Sequence, residues 1–154
     1  MTAAGPAPRR LRFAFSGSPL EVMPRVESVE AFLVQAGCTV ASARDLAVVT
    51  EEILTNIARY AWAGDGRGHC AVEVSAAVEA ASVRVRLRTE DDGIAFDPTG
   101  AAAPDLEASL QDRSIGGLGI ILIKTMTDTQ TYRRVGARNV FEVTRVCPRE
   151  QGSH

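Results

Sequence analysis

One short stretch restricts the fold of this chain more than any other, because apolar and charged residues alternate along it without a break. From residue 82 to residue 88, Val83, Val85 and Leu87 alternate with Arg84, Arg86 and Arg88. Successive side chains of a β-strand point to opposite faces, so the pattern predicts a strand with one face on a core and one in water. One face of such a sheet must then be covered by another layer of secondary structure.

A row of three arginines also occurs on some RNA-binding surfaces. Here no aromatic residue is interleaved with the arginines, and the chain has 17 Lys+Arg against 19 Asp+Glu, a formal charge of -2. Both observations favour a solvated sheet face. The charge balance also excludes a generic basic nucleic-acid binder.

Three helices are predicted around this strand, and the second is the best defined. Its apolar stripe recurs at intervals of three and four residues and consists of Leu46, Val49, Ile53, Ile57 and Tyr60. Ser42 is the predicted N-cap of this helix, with Asp45 as the acid three residues later. The first helix is predicted to open at Pro24 and to stop at Gly37.

The third helix is predicted to open at Gly116-Gly117-Leu118-Gly119 and to run to about residue 127. Further strands are predicted at residues 11–15, 70–75, 129–134 and 139–146, with the last two joined in a hairpin at Gly136. A length of 154 residues is typical of one domain. We expect a disordered N-terminus over residues 1–8, one domain over 9–147 and a flexible tail over 148–154.

Other features of the chain bear on its location. The longest apolar runs, such as residues 120–123, are far shorter than the roughly 20 residues that span a bilayer. The N-terminal residues lack the apolar region of a signal peptide. Cys38, Cys70 and Cys147 are odd in number and lack C-x-x-C spacing, which favours buried, reduced thiols. We therefore expect a cytoplasmic protein without membrane or direct nucleic-acid partners.

Two polar residues of the second helix do not fit a plain surface pattern. Glu52 and Asn56 are four residues apart and lie on one side of the helix, at the edge of its buried stripe. Desolvating them without partners is costly, and a magnesium ion with a phosphate chain would supply those partners. Taken alone, the pair also fits a solvated helix face or a local hydrogen bond.

Two further motifs add to this pair. Asp91-Asp92-Gly93 follows the arginine-bearing strand, where a carboxylate can accept a hydrogen bond from the exocyclic amine of a base and a glycine lets backbone approach a flat ring. An ordinary acidic turn is the alternative. The glycines from Gly116 to Gly119 open a helix, and its exposed N–H groups favour an anion, although a tight turn explains them equally well. They match neither the dinucleotide nor the P-loop pattern.

In this order, the three motifs resemble those of the GHKL ATPases, and within them the stand-alone anti-sigma-factor serine/threonine-protein kinases of partner-switching systems. The matching stretches are residues 50–61, 91–98 and 116–120, and residues 132–140 fit the same branch. The resemblance implies a histidine-kinase-like ATPase domain over residues 9–147. Its fold would be an α/β (α+β) two-layer sandwich with a mixed, mostly antiparallel sheet and helices on one face, the Bergerat ATP-binding fold.

The resemblance also implies roles for single residues. Asn56 would bind Mg²⁺ bridged to the phosphates of ATP, and Glu52 would act as the general base. Asp91 would accept a hydrogen bond from the adenine amine, with Gly93 beside the ring. The other implied nucleotide contacts are Ala95 (where relatives carry glycine), Arg113, the phosphate-cradling Gly117, Leu118 and Gly119, and Asn139 near the adenine. Residues 99–114 would form the nucleotide lid.

The function implied by this resemblance is a Mg-ATP-dependent kinase that phosphorylates Ser or Thr on a STAS-domain anti-anti-sigma protein. The same chain would bind and silence a sigma factor, and a homodimer is possible. A second hypothesis is a non-catalytic module in which ATP shapes a surface that sequesters a partner. A third is the detached catalytic domain of a histidine kinase, against which stands the absence of a dimerisation helix with an acceptor histidine.

Overall fold

A five-stranded antiparallel sheet with helices on one face forms the domain. The computed structural model describes residues 6–64, 67–99 and 119–151. Along the chain the elements are β1 (Arg9–Phe15), α1 (Pro19–Ala36), α2 (Val40–Tyr60), β2 (Cys70–Val78), β3 (Ser82–Asp91), α3 (residues 119–126), β4 (Thr129–Val135) and β5 (Arg138–Pro148). The strand order is β1-β2-β3-β5-β4, and every pairing among these strands is antiparallel. The two-layer α+β fold is thus confirmed.

The two faces of the sheet differ as the alternation predicts. Val83, Val85 and Leu87 of β3 are buried with the apolar residues of α1 and α2 in one core. On the opposite face, Glu73 of β2 lies within salt-bridge distance of three arginines: Arg12 at 2.6 Å, Arg86 at 3.7 Å and Arg10 at 4.0 Å. The hydrogen bond from Arg12 holds the pKa of Glu73 below its ordinary value.

Helix α1 begins earlier than predicted. Its first residue is Pro19, after the N-cap Ser18, and Pro24 lies inside the helix. The prediction that Pro24 opens the helix is therefore wrong. A proline inside a helix leaves the carbonyl four residues earlier without its N–H donor. Here that carbonyl belongs to Leu20, a residue 88% exposed to solvent. Gly37 ends the helix with a φ of 110°, as expected of a left-handed C-cap.

The N-cap of α2 also differs from the prediction. It is Thr39, whose Oγ1 accepts a hydrogen bond from the backbone N–H of Ser42 at 3.2 Å. Ser42 itself is buried within the first turn of the helix. Asp45, the predicted capping acid, instead accepts a hydrogen bond from Arg145 of β5 at 3.1 Å. The capping pattern therefore starts three residues earlier than Ser42.

The C-terminal hairpin forms as predicted, with Gly136 at a φ of 58° in its turn. Strand β5 runs to Pro148, and the backbone N–H of Glu150 then donates to the carbonyl of Gly37 at 2.7 Å. The contact ties the residues after β5 to the end of α1, and the domain bounds expected from the sequence stay a prediction.

The three cysteines are all buried and unpaired in disulfides. Burial raises the pKa of the Cys70 thiol to about 12, so this thiol stays protonated near neutral pH. Within the described ranges, no helix is long and apolar enough to cross a membrane.

Replacing the cap of α2 tests its contribution to stability. We expect Thr39→Ala to lower the free energy of unfolding by about 1 kcal/mol, because the Ser42 N–H loses its side-chain acceptor. Thr39→Ser retains the hydroxyl and should stay close to the unmutated value. Urea unfolding followed by circular dichroism measures the difference. Ser28→Ala, which removes an exposed hydroxyl from the middle of α1, serves as the control. An equal loss in Thr39→Ala and the control would contradict the cap assignment.

Candidate functional site

A cleft opens between α2 and the inner face of the sheet, near the ends of β3 and β4 and the start of β5. It encloses about 380 Å³, including its open mouth. The lining is mainly apolar with a few polar side chains, and it consists of Ile53, Asn56, Ile57, Ala61, Thr89, Asp91, Phe96, Pro98, Tyr132, Asn139 and Phe141. A concave apolar site with convergent polar groups is typical of small-molecule binding.

Glu52 and Asn56 meet the start of the described part of α3. Asn56 is buried in the cleft wall, and Glu52 is half-buried one turn before it. A Cβ atom built on Gly119 would lie 2.6 Å from Oε2 of Glu52 and 3.9 Å from Nδ2 of Asn56. Because a real Cβ is not found at 2.6 Å from an oxygen, this position needs glycine while Glu52 keeps its place. Gly119 is thus a neighbour in space of Glu52 and Asn56, although it lies more than 60 residues later in the sequence.

Asp91 lies in the same cleft and is held from two sides. It is the last residue of β3 and pairs with Asn139 across the β3–β5 ladder. Its Oδ1 accepts hydrogen bonds from the backbone N–H of Gly93 at 2.9 Å and from Nδ2 of Asn139 at 2.9 Å. Both Asp91 and Asn139 are buried. The cleft therefore contains the predicted adenine-binding carboxylate and, on α2, the predicted Mg²⁺ ligand Asn56.

The comparisons with known proteins agree with this arrangement. The sequence profile of the family described as "Histidine kinase-like ATPase domain" matches residues 16–145. This chain belongs to that family. The histidine kinase-like ATPase expected from its motifs is thereby confirmed.

Among curated proteins, the chain is similar to "Serine/threonine-protein kinase BtrW" of Bordetella bronchiseptica, with 31% identity over 99 residues. The match covers 64% of this chain and 67% of that protein. This relative agrees with the resemblance to serine/threonine-protein kinases of the same superfamily.

Two solved structures share the fold at low sequence identity. One contains the RsbU and RsbW domains of Rv1364c from Mycobacterium tuberculosis, with a TM-score of 0.59 and 12% identity over 94% of this chain and 35% of that chain. The other is the SiaB-SiaC complex from Pseudomonas aeruginosa, with a TM-score of 0.51 and 16% identity over 88% of this chain and 89% of that chain. This ATPase domain spans about a third of the Mycobacterium tuberculosis chain.

In this ATPase domain, Gly93 has a packing role that the sequence did not reveal. A Cβ built on it would lie 2.4 Å from the carbonyl oxygen of Ala61, just after the end of α2. The next residue, Ile94, donates its N–H to that same oxygen at 2.8 Å. Gly93 thus lets the chain after β3 pass directly against α2. Its predicted place beside a base stays a prediction. Ala95 is exposed and is not among the cleft-lining residues.

Asp92, which follows Asp91, anchors the segment after β3 from outside the cleft. Oδ1 of Asp92 accepts hydrogen bonds from Nε1 of Trp62 at 2.8 Å and from the backbone N–H of His69 at 2.9 Å. These two donors, His69 before Trp62, hold the pKa of Asp92 below its ordinary value. The two neighbouring aspartates therefore differ in role: Asp91 faces the cleft and Asp92 ties the loop to the end of α2.

Sequence reasoning missed several residues of the cleft. Phe96 lines it and stacks on Tyr60 with ring centroids 5.2 Å apart. Tyr132 lines it from β4, and Arg134 on the same strand donates to the carbonyl of Gly93 at 2.7 Å. The alternation of β4 places Tyr132 and Arg134 on one face. Only the pairing of that strand with β5 shows that this face points to the cleft.

Arg113, Gly117 and Leu118 lie outside the described residues, as does the expected lid apart from Thr99. Thr99 donates its backbone N–H and its hydroxyl to Oδ1 of Asp97, at 2.8 and 2.6 Å.

The close approach at Gly93 gives a test of the cleft wall. We expect Gly93→Ala to lower the free energy of unfolding by about 2 kcal/mol, because the added methyl overlaps the Ala61 backbone. Ala95→Gly, two residues on and exposed, should change it by less than about 1 kcal/mol. Thermal and urea unfolding of both variants measure the contrast. A Gly93→Ala protein as stable as the unmutated chain would show that the approach to Ala61 is not tight in solution.

Proposed function

We propose that this chain binds Mg-ATP in the cleft and is an anti-sigma factor and serine/threonine-protein kinase that phosphorylates a STAS-domain anti-anti-sigma protein in the cytoplasm. The observation that carries the proposal is the meeting of Glu52 and Asn56 with Gly119, at a cleft that also contains Asp91. The family of the chain and its similarity to a protein named as a serine/threonine kinase support the same proposal.

The residues of the cleft fit an adenine nucleotide. Apolar side chains of α2 and β5 would pack against the faces of the base, and they include Ile53, Ile57 and Phe141. Asp91 supplies an acceptor for an exocyclic amine, since a carboxylate has no proton to donate. Adenine offers such an amine, whereas guanine presents a carbonyl oxygen at the corresponding position. The cleft chemistry therefore favours ATP over GTP.

The residues also fit a magnesium ion held mainly by phosphates and water. Within residues 6–64, 67–99 and 119–151, no group of three or more His, Cys, Asp or Glu side chains could hold a metal. Mg²⁺ in nucleotide sites keeps several waters and takes one or two protein ligands besides the phosphate oxygens. The amide oxygen of Asn56 would be such a ligand. Bound Mg-ATP would supply the phosphoryl group and the cation that neutralises its charge.

The chain's own residues would then align the reactants and accept a proton. Glu52, one turn before Asn56, would take the proton of the acceptor hydroxyl while the hydroxyl oxygen attacks the γ-phosphorus and ADP leaves. A phosphate on the antagonist adds roughly two negative charges to its surface, which is enough to break a protein interface. That change would release the antagonist and free this chain to bind a sigma factor.

One observation favours a second candidate, a non-catalytic module whose ATP shapes a binding surface. Asn56 and Asp91, the proposed nucleotide ligands, line the cleft, whereas Glu52 is not among its lining residues. A general base must come within hydrogen-bond reach of the proton that it takes. In this alternative the chain would hold ATP and sequester a sigma factor or another partner without phosphorylating an antagonist.

A substitution of the proposed base separates the two candidates. We expect Glu52→Ala to bind ATP within about twofold of the unmutated affinity but to transfer phosphate at least about 100-fold more slowly, because the proton acceptor is lost. The measurement is transfer of radiolabelled γ-phosphate to purified STAS-domain proteins. Glu51→Ala, which removes a neighbouring carboxylate from a different side of α2, is the matched control.

Transfer by Glu52→Ala at the unmutated rate would remove the base assignment. Binding of ATP by the unmutated chain with no label on any STAS-domain protein would favour the non-catalytic module.

The proposed metal ligand is tested by binding alone. At a hundredfold excess of Mg-ATP over its Kd, the unmutated chain should gain about 2.7 kcal/mol of stability. Asn56→Ala should lose most of this gain, because the ion bridging to the phosphates loses its protein ligand. Thermal shifts with ATP, ADP and GTP, each with and without Mg²⁺, measure the effect. An Asn56→Ala protein stabilised by Mg-ATP as strongly as the unmutated chain would contradict the assignment.

A further inference from the structure

Asn139 occupies the centre of a buried hydrogen-bond network beside Asp91. Its side chain makes five hydrogen bonds to described groups. Nδ2 donates to Oδ1 of Asp91 at 2.9 Å and to the carbonyl of Ile94 at 2.7 Å. Oδ1 accepts from the hydroxyl of Tyr132 at 2.5 Å, from Arg134 at 3.1 Å and from the backbone N–H of Phe96 at 3.3 Å.

The orientation of this amide has only one solution. A carboxylate and a carbonyl can only accept, and a guanidinium and a backbone N–H can only donate. Flipping the amide would place its NH₂ against the donors of Arg134 and Phe96 and its oxygen against the acceptors of Asp91 and Ile94. The network therefore fixes which atom of Asn139 faces Asp91.

The same count shows that Asn139 has nothing left for a ligand. A primary amide has two N–H donors, and both are used within the protein. Its oxygen already accepts from three donors. A direct hydrogen bond from Asn139 to a base would require one of these bonds to break.

Asp91, by contrast, is held at one oxygen. Its Oδ1 accepts from Gly93 and Asn139, whereas no hydrogen bond to Oδ2 is found among the described residues. The two donors fix the plane of the carboxylate and leave Oδ2 as the acceptor for a ligand. Gly93, one of the two donors to Oδ1, is itself held in place, because its carbonyl accepts a hydrogen bond from Arg134.

We propose that Asn139, fixed by Tyr132 and Arg134, is a positioning residue that sets base selectivity by aiming the Asp91 carboxylate, and does not itself contact the nucleotide. The inference rests on the proposed ATP site. It replaces the expectation that Asn139 touches the adenine. A site that binds an amine rejects a ligand without one only if the acceptor, here the Asp91 carboxylate, keeps its position and orientation. Freeing the carboxylate to rotate should therefore weaken ATP binding and leave GTP binding unchanged.

The test compares ATP and GTP affinities by isothermal titration calorimetry. Asn139→Ala should bind ATP roughly tenfold more weakly with GTP affinity unchanged, so that the selectivity ratio falls about tenfold. Tyr132→Phe keeps the ring in the cleft and removes one donor to Asn139, and it should lower the ratio about threefold. Thr131→Val, on the opposite face of β4, is the matched control and should leave the ratio unchanged.

A second readout needs no nucleotide. The Gly93 N–H bonds to Asp91 and not to Asn139, so its hydrogen exchange reports the position of the carboxylate. In Asn139→Ala the exchange of the Gly93 N–H should accelerate at least about tenfold, because a carboxylate that can rotate breaks its hydrogen bond to this N–H more often.

The outcomes are separable. Equal loss of ATP and GTP affinity in a folded Asn139→Ala protein, or an unchanged ratio, would overturn the positioning role while the ATP site stands. If Asn139→Ala does not fold, an unchanged ratio in Tyr132→Phe overturns it. Failure of the unmutated chain to bind ATP at all would remove the proposed function, and this inference with it.

Discussion

The packing of α2 against the inner face of the sheet is the constraint on which the site depends. The stripe of α2 buries itself against β3 and β5, so the polar residues at the edge of that stripe must lie where the two layers begin to separate. Asn56 is therefore buried in a cleft wall instead of projecting into water. Glu52, one turn earlier on the same side, comes to lie beside α3. Because residues four apart lie on the same side of a helix, the packing of α2 on the sheet places Asn56 in the cleft wall and Glu52 beside it.

The polar groups of the cleft are supported by the backbone around them. Asp91 ends β3, and the segment that follows is fixed to α2 by Ile94 and to the loop before β2 by Asp92. The hydrogen bonds of Asp91, Asn139 and Asp92 satisfy groups that would be costly to leave unpaired. Within the described residues, no buried side-chain nitrogen or oxygen is without a partner. A cleft with this support is preorganised, so binding need not order its walls.

Much of this could be derived from the sequence, because the patterns concerned are local. The alternation of β3 fixed which face is wet, and the period of α2 placed Glu52 and Asn56 together. The errors were also local. Pro19 and Pro24 both suit the first turn of a helix, and the sequence alone does not decide which of them begins α1. Thr39 and Ser42 are likewise both residues that favour an N-cap. The network around Asn139 could not be derived, because it depends on the register of β5 with both β3 and β4, which no single segment specifies. The same holds for Gly93, whose neighbour Ala61 belongs to another element.

Among the strands that the structure describes, β1 and β4 are the two borders of the sheet. An unpaired border strand is a template on which a second chain can add its own strand, and repetition of that step leads to aggregates. Both borders carry clustered arginines, Arg9, Arg10 and Arg12 on one and Arg133 and Arg134 on the other. Charged side chains on a border strand disfavour the addition of a strand from a second chain. These arginines should therefore hinder border-to-border association of the domain.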